Sequence, residues 1–258
     1  MRVEELMTRD LVTIDKNRKL SDALTLMEKC RVSRVVVTNS GKACGIVTEK
    51  DIAEHLGTSR HGKTLPSSLH VSTAMSTDLI AIKSGADVRD GVELMLEKGI
   101  SSLLVINGSE PVGIITKTDI LRCLTDSEKP LGEIMKKDPL TVPPNKRIVH
   151  ARRLMLDRHI SRVIAAEEGR AVGVMTERDA AKALYAFRKT ADKQQYNRVR
   201  NLLVGDVMTQ DVFCMGTSDT AGEAAKAMLE KRFSGIPILE REKLVGIVTK
   251  TDLMKLLL

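Results

Sequence analysis

The sequence predicts an α/β fold of the α+β kind, built from four tandem β-α-β-β-α repeats arranged as two pairs. Three observations carry this expectation. A seven-residue phrase recurs four times, as Gly45-Ile46-Val47-Thr48-Glu49-Lys50-Asp51, Gly113-Ile114-Ile115-Thr116-Lys117-Thr118-Asp119, Gly173-Val174-Met175-Thr176-Glu177-Arg178-Asp179 and Gly246-Ile247-Val248-Thr249-Lys250-Thr251-Asp252. A methionine stands 38 positions ahead of each of these glycines, at Met7, Met75, Met135 and Met208, with no insertion or deletion. Such strict register is the signature of a repeat array. The links alternate: from motif Asp to the next landmark Met is 24, then 16, then 29 positions. Long, short, long spacing predicts that repeat one pairs with two and three with four.

The repeats are expected at residues 1–60, 68–126, 128–186 and 201–258, giving modules 1–126 and 127–258. Repeat one opens near Met7 with Leu11-Val12-Thr13-Ile14, whose β-branched residues read as a short strand. Leu20, Ala23, Leu24 and Met27 then recur at helical spacing. Val35-Val36-Val37 is a buried strand, Thr38 to Lys42 is a turn, and Ile46-Val47 returns as the second strand of a hairpin. A second helix starts at Thr48 and runs through Ile52 to Leu56. Repeat two copies this plan with Leu79 to Ile82, a helix carrying Val88, Gly91, Val92 and Met95, the strand Leu103-Leu104-Val105 and the turn Asn107-Gly108-Ser109. Repeats three and four follow it. The mid-helix methionines Met27, Met95, Met155 and Met228 read as adaptable core packing.

The chain has 258 residues, 42% hydrophobic and 29% charged, the balance of an ordinary globular protein. No apolar run reaches signal-peptide or spanning length, which predicts a cytoplasmic protein without a membrane partner. The four cysteines, Cys30, Cys44, Cys123 and Cys214, show no C-x-x-C pairing and no histidine at metal spacing, against a disulfide framework or a metal site. Cys30 and Cys214 fall at apolar repeat positions and are expected to pack as small hydrophobes. The formal charge of +7 points to anionic partners. Five aromatic residues are few for a protein that stacks bases along a single strand. The link from Tyr185 to Asn201 is basic, with Arg188, Lys189, Lys193, Arg198 and Arg200 against Asp192.

Thr-x-x-Asp at a strand end admits two readings. Thr at an N-cap accepts a backbone N–H and the acid three residues on returns the bond, a helix start worth about 1 kcal/mol. Glu, with its longer reach, is the more usual acid of such a box, and here Asp stands in all four copies. A short carboxylate at a strand–helix junction can instead accept from the 2′ and 3′ hydroxyls of a ribose, as an acid does in dinucleotide folds. Both readings stand on the residues alone.

The repeat resembles the CBS domain, named for cystathionine β-synthase. The resemblance rests on the Val-x-x-x-Met start and its variants, the Val32-Ser33-Arg34-Val35-Val36-Val37 type of strand, and the G-h-h-T-x-x-D end, in four copies over nearly the whole chain. It implies that the repeats pair about pseudo-twofold axes into two Bateman modules, in an arrangement similar to the gamma subunit of AMP-activated protein kinase and to archaeal stand-alone CBS proteins. It implies further that clefts of each module bind an adenosine ligand (AMP, ADP or ATP, with S-adenosylmethionine possible) and that no other cofactor is required. The ribose would be held by Thr48 and Asp51, Thr116 and Asp119, Thr176 and Asp179, and Thr249 and Asp252, with adenine in an apolar slot beside the first strand.

A serine stands 26 positions after each landmark Met, at Ser33, Ser101, Ser161 and Ser234, followed by Arg34, Ser102, Arg162 and Gly235. Arginine thus occurs only in the first member of each pair. A guanidinium offers a planar fork of donors and suits phosphate. Arg34 is expected to serve a nucleotide held by Thr116 and Asp119, and Arg162 one held by Thr249 and Asp252; the sites at Asp51 and Asp179 are then weaker or empty.

The function expected is a nucleotide-sensing regulatory protein that passes ligand occupancy to an unknown effector protein by conformational change, with a homodimer as a further option. The alternatives are a nucleic-acid-binding protein and a ligand-free structural scaffold. An enzyme is not expected: His55, His61, His70, His150 and His159 share no repeat position and form no recognisable nucleophile–base set.

Overall fold

A computed structural model describes residues 1–57, 69–180, 182–183 and 201–258. Four sheets have the same plan. In repeat one, Thr13–Asp15 lies parallel to Arg34–Asn39, which runs antiparallel to Lys42–Thr48. The corresponding strands are Ala81–Lys83, Ser102–Asn107 and Glu110–Thr116 in repeat two. They are Thr141–Val142, Arg162–Glu167 and Arg170–Thr176 in repeat three, and Met215–Gly216, Gly235–Glu240 and Lys243–Thr249 in repeat four. The first strands begin two residues later than their β-branched composition predicts. Val36 N–H donates to the Val12 carbonyl at 3.0 Å and Leu104 N–H to that of Ile80 at 3.1 Å, so extended chain precedes the ladder by one residue.

One amphipathic helix per repeat covers its sheet: Leu20–Cys30, Val88–Glu97, Ile148–Asp157 and Ala221–Glu230. The mid-helix methionines Met27, Met95, Met155 and Met228 are completely buried, as core packing requires. Cys30 is not a core residue. It ends its helix just before Arg31, whose left-handed φ of 54° turns the chain away, and it is exposed; Cys214 is half-buried.

A short helical turn ahead of each landmark Met was not legible as a periodic pattern, because three or four residues are too few to show one. These turns are Val3–Leu6, Val71–Thr73, Leu131–Ile134 and Val204–Val207. Each joins the partner repeat, through bridges of Arg2 to Asp87, His70 to Lys19, Pro130 to Thr220 and Leu203 to Arg147. The residue after each landmark Met completes the exchange. Thr8 bridges Ile114, Ser76 bridges Ile46 and Thr209 bridges Val174, while Lys136–Lys137 adds a fourth strand beside Gly246 and Ile247. Repeats one and two, and three and four, are therefore reciprocal pairs.

The glycine and methionine landmarks meet across these pairs, not within a repeat. A Cβ on Gly113 would stand 2.8 Å from Met7 Sδ and 2.8 Å from the Thr8 carbonyl oxygen, and one on Gly45 would stand 2.7 Å from the Ser76 carbonyl oxygen. Gly246 faces Met135 and Gly173 faces Met208 in the same way. Only glycine leaves room for the partner's chain to close over the motif strand.

The two modules then meet by unlike contacts. Repeats two and four share apolar packing: Met254 is buried with Met95 and Ile120, while Leu121 and Leu124 are buried with Met228 and Leu253. Repeats one and three meet through charge, with Arg178 Nε to Glu49 Oε1 at 2.9 Å, Lys50 Nζ to Glu177 Oε1 at 3.6 Å, and Arg152 donating to the Glu54 carbonyl at 3.4 Å.

Candidate nucleotide site

Each motif leaves its strand at Thr and enters a helical turn, and in all four the Thr–Asp capping box is formed. The Asp Oδ2 accepts the Thr backbone N–H at 2.8 Å in Asp51, 2.9 Å in Asp119, 2.8 Å in Asp179 and 3.0 Å in Asp252. The same oxygen accepts the Thr hydroxyl at 2.8, 2.7, 2.7 and 2.5 Å, in that order. Asp reaches the N-cap amide without difficulty, so its preference over Glu does not by itself argue for a ligand. What singles the residue out is its other oxygen. Oδ1 takes no part in the box and, at Asp119 and Asp252, faces cations: Arg122 at 3.9 Å and Lys136 at 3.7 Å. Asp119 and Asp252 are buried, whereas Asp51 and Asp179 are half-buried.

The repeated serine joins the motif to the central strand. The N–H groups of Glu49, Lys117, Glu177 and Lys250 donate to the carbonyls of Ser33, Ser101, Ser161 and Ser234 at 3.1, 3.2, 3.1 and 3.4 Å. Arg34 donates to Ser33 Oγ at 3.3 Å and reaches across its module to Ser101 Oγ at 3.0 Å. Arg162 donates to Ser161 Oγ at 3.1 Å through Nη2, while its Nη1 lies over Gly235 and, among the described residues, has no hydrogen-bond acceptor. An unmatched buried donor on a charged group is costly. Gly235 is what admits the guanidinium, since any Cβ there would collide with it.

Two further cations complete the centre. Lys117 Nζ donates to Thr251 Oγ1 at 2.9 Å and Lys250 Nζ to Thr118 Oγ1 at 2.6 Å, a reciprocal exchange between the modules. Burial pushes the Arg34 guanidinium down, against the opposing pull of Asp119 first and Asp51 second. Burial pushes Arg162 down to about 10, with Asp252 the acid that most opposes it. Lys250 falls to about 8 through burial and the neighbouring Arg162 and Arg34, and Lys117 is lowered by burial and by Arg34. Four like charges thus share one partly dehydrated region, with the buried Asp119 and Asp252 as its principal acids.

The sequence profile of the CBS domain matches residues 3–58, 71–126, 131–186 and 204–258, almost the whole chain. The chain belongs to the CBS-domain family. It is 24% identical to the uncharacterized protein MJ1225 of Methanocaldococcus jannaschii over 96% of this chain and 95% of that one. It is 27% identical to the uncharacterized protein MJ1404 of the same organism over 98% of this chain and 61% of that protein. The crystal structure of MJ1225, for which homology to g-AMPK has been suggested, covers 100% of both chains with a TM-score of 0.89 at 23% identity. That likeness shows the fold: four CBS domains in two Bateman modules.

Within this CBS array, Arg34 is brought to Asp119 of the partner domain and Arg162 to Asp252. Arg34 also neighbours Asp51 of its own CBS domain, because it pairs with Thr48 across the hairpin. Lys117 and Lys250, between the Thr and Asp of their motifs, were not singled out from the sequence, nor was Lys136. Their signal was present: the first residue after the motif Thr alternates as Glu49, Lys117, Glu177 and Lys250. The basic link from Tyr185 to residue 200 lies outside the described residues. No helix among the described residues is long and apolar enough to cross a membrane.

Proposed function

We propose that this protein is an adenine-nucleotide-binding regulatory protein, whose principal sites are the clefts at Thr116–Asp119 with Arg34 and at Thr249–Asp252 with Arg162. The observation that carries the reading is Arg162, half-buried as a residue, whose buried Nη1 has no acceptor among the described residues. A phosphate would supply that acceptor. The motif Oδ1 atoms, outside the capping box, suit ribose hydroxyls, and Thr48–Asp51 and Thr176–Asp179 form weaker clefts of the same kind. AMP, ADP or ATP fits this charge through its phosphate, and S-adenosylmethionine offers only its single carboxylate. Occupancy reaches an effector protein only if the ligand binds two arrangements of the modules with different affinity.

Titration calorimetry on nucleotide-stripped protein with AMP, ADP, ATP, GTP and S-adenosylmethionine tests this. Binding of an adenine nucleotide at about two sites per chain, lost in Asp119→Ala and Asp252→Ala, is the expected result. Equal affinity at four sites removes the role given to Arg34 and Arg162. No heat with any ligand returns Thr-x-x-Asp to helix capping alone.

A further inference from the structure

The two central clefts lie in different modules, yet each is closed by a lysine of the opposite one. Lys250 of repeat four donates to Thr118, inside the motif that ends in Asp119, and Lys117 of repeat two donates to Thr251, inside the motif that ends in Asp252. The acid that most opposes the lowering of Lys250 is Asp119, and the one for Lys117 is Asp252. Among the described residues each ammonium donates to a neutral hydroxyl, and both stand among Arg34 and Arg162. Among the described residues Arg162 Nη1 has no acceptor, and an ammonium beside it, a mobile point charge, can turn from a hydroxyl to an anion.

We infer that Lys117 and Lys250 are phosphate ligands supplied in trans, each completing the nucleotide cleft of the other module, so that the ligand class is a nucleotide carrying a chain of two or more phosphates. This rests on the nucleotide reading above and adds two things to it. Phosphate number is read at the junction of the modules, and a bound nucleotide ties the modules together. Arg34 and Arg162 take the phosphate nearest the ribose in their own modules, and the lysines take the next one from across the junction.

The test is calorimetry of the full chain with adenosine, AMP, ADP and inorganic tripolyphosphate, for the wild type, Lys250→Met, Lys250→Arg and Thr118→Val. A charge-assisted bond to phosphate is worth about tenfold in affinity. Lys250→Met is therefore expected to weaken ADP at one of the two sites by about tenfold while changing adenosine by less than about threefold. Thr118→Val removes the cross-junction hydrogen bond but keeps the ammonium, and should leave ADP binding intact, while Lys250→Arg, which keeps the charge, should retain more ADP affinity than Lys250→Met. If Lys250→Met and Thr118→Val weaken adenosine and ADP alike, the lysines are structural bonds and the inference is overturned. It is overturned equally if Lys250→Met leaves ADP unchanged. Should the wild type bind no nucleoside ligand, the nucleotide reading fails separately. Tripolyphosphate binding lost in Lys250→Met then still supports the cation cluster, and absence of tripolyphosphate binding removes it.

Discussion

At Lys250 the surroundings act on a single proton. Burial and the two guanidinium groups hold its folded value at about 8, whereas an unfolded chain titrates lysine near 10.4. A lowered lysine favours the neutral form in the folded protein, so between those values the unfolded chain binds more protons and stability rises with pH. Below about 8 both states are charged and the dependence is flat. Thermal melts from pH 7 to 10 should therefore show the wild type gaining on Lys250→Met above pH 8, and parallel curves would contradict the assignment. In the capping boxes Asp Oδ2 serves the fold, and at Asp119 and Asp252 Oδ1 stays outside the box.

Hairpin turns and motif glycines carry the strain at the level of elements. The turn of repeat four places two non-glycine residues in the left-handed region, Arg241 at φ 48° and Glu242 at 64°, where repeats one and three have glycine second, at Gly41 and Gly169. Each such residue costs roughly 1 kcal/mol. Glu242 is exposed, and its ion pair with Arg170 at 3.7 Å is worth little. Glu242→Gly should raise the melting temperature, and a lower one would show that the pair matters more than the backbone. Gly45→Ala should do the reverse. Its Cβ would meet the Ser76 carbonyl oxygen at 2.7 Å, in backbone that cannot rotate away. Overpacking of this kind costs about 1–3 kcal/mol. Chemical denaturation measures the loss, and an unchanged midpoint would place the pairing of repeats elsewhere than on this glycine.

In the whole molecule, the unlike junctions between modules divide the work. Leu253 is buried at the apolar junction, and Leu253→Ala should cost about 2–5 kcal/mol in equilibrium unfolding. At the charged junction, burial raises the Glu49 carboxyl against the pull of Arg178, whose side chain is 47% exposed. Solvent remains available to that guanidinium, so Glu49→Gln should cost less than about 1 kcal/mol. Comparable losses from the two variants would contradict the division.

The sequence by itself determined the repeat, its β-α-β-β-α elements and their pairing, though not the short turn ahead of each landmark Met. Periodicity, turn residues and link lengths are local signals, and four copies made each one visible against background. It also singled out the motif Thr and Asp, together with Arg34 and Arg162. Only the tertiary structure decided that the landmark Met and Gly meet between repeats, that Asp119 and Asp252 are the buried pair, and that Lys117 and Lys250 cross between modules. Cys30 shows the limit from the other side: an apolar repeat position at a helix end is exposed when the chain turns away after it. Burial and long-range approach depend on how elements stack, and no spacing along one chain records the distance between two of its modules.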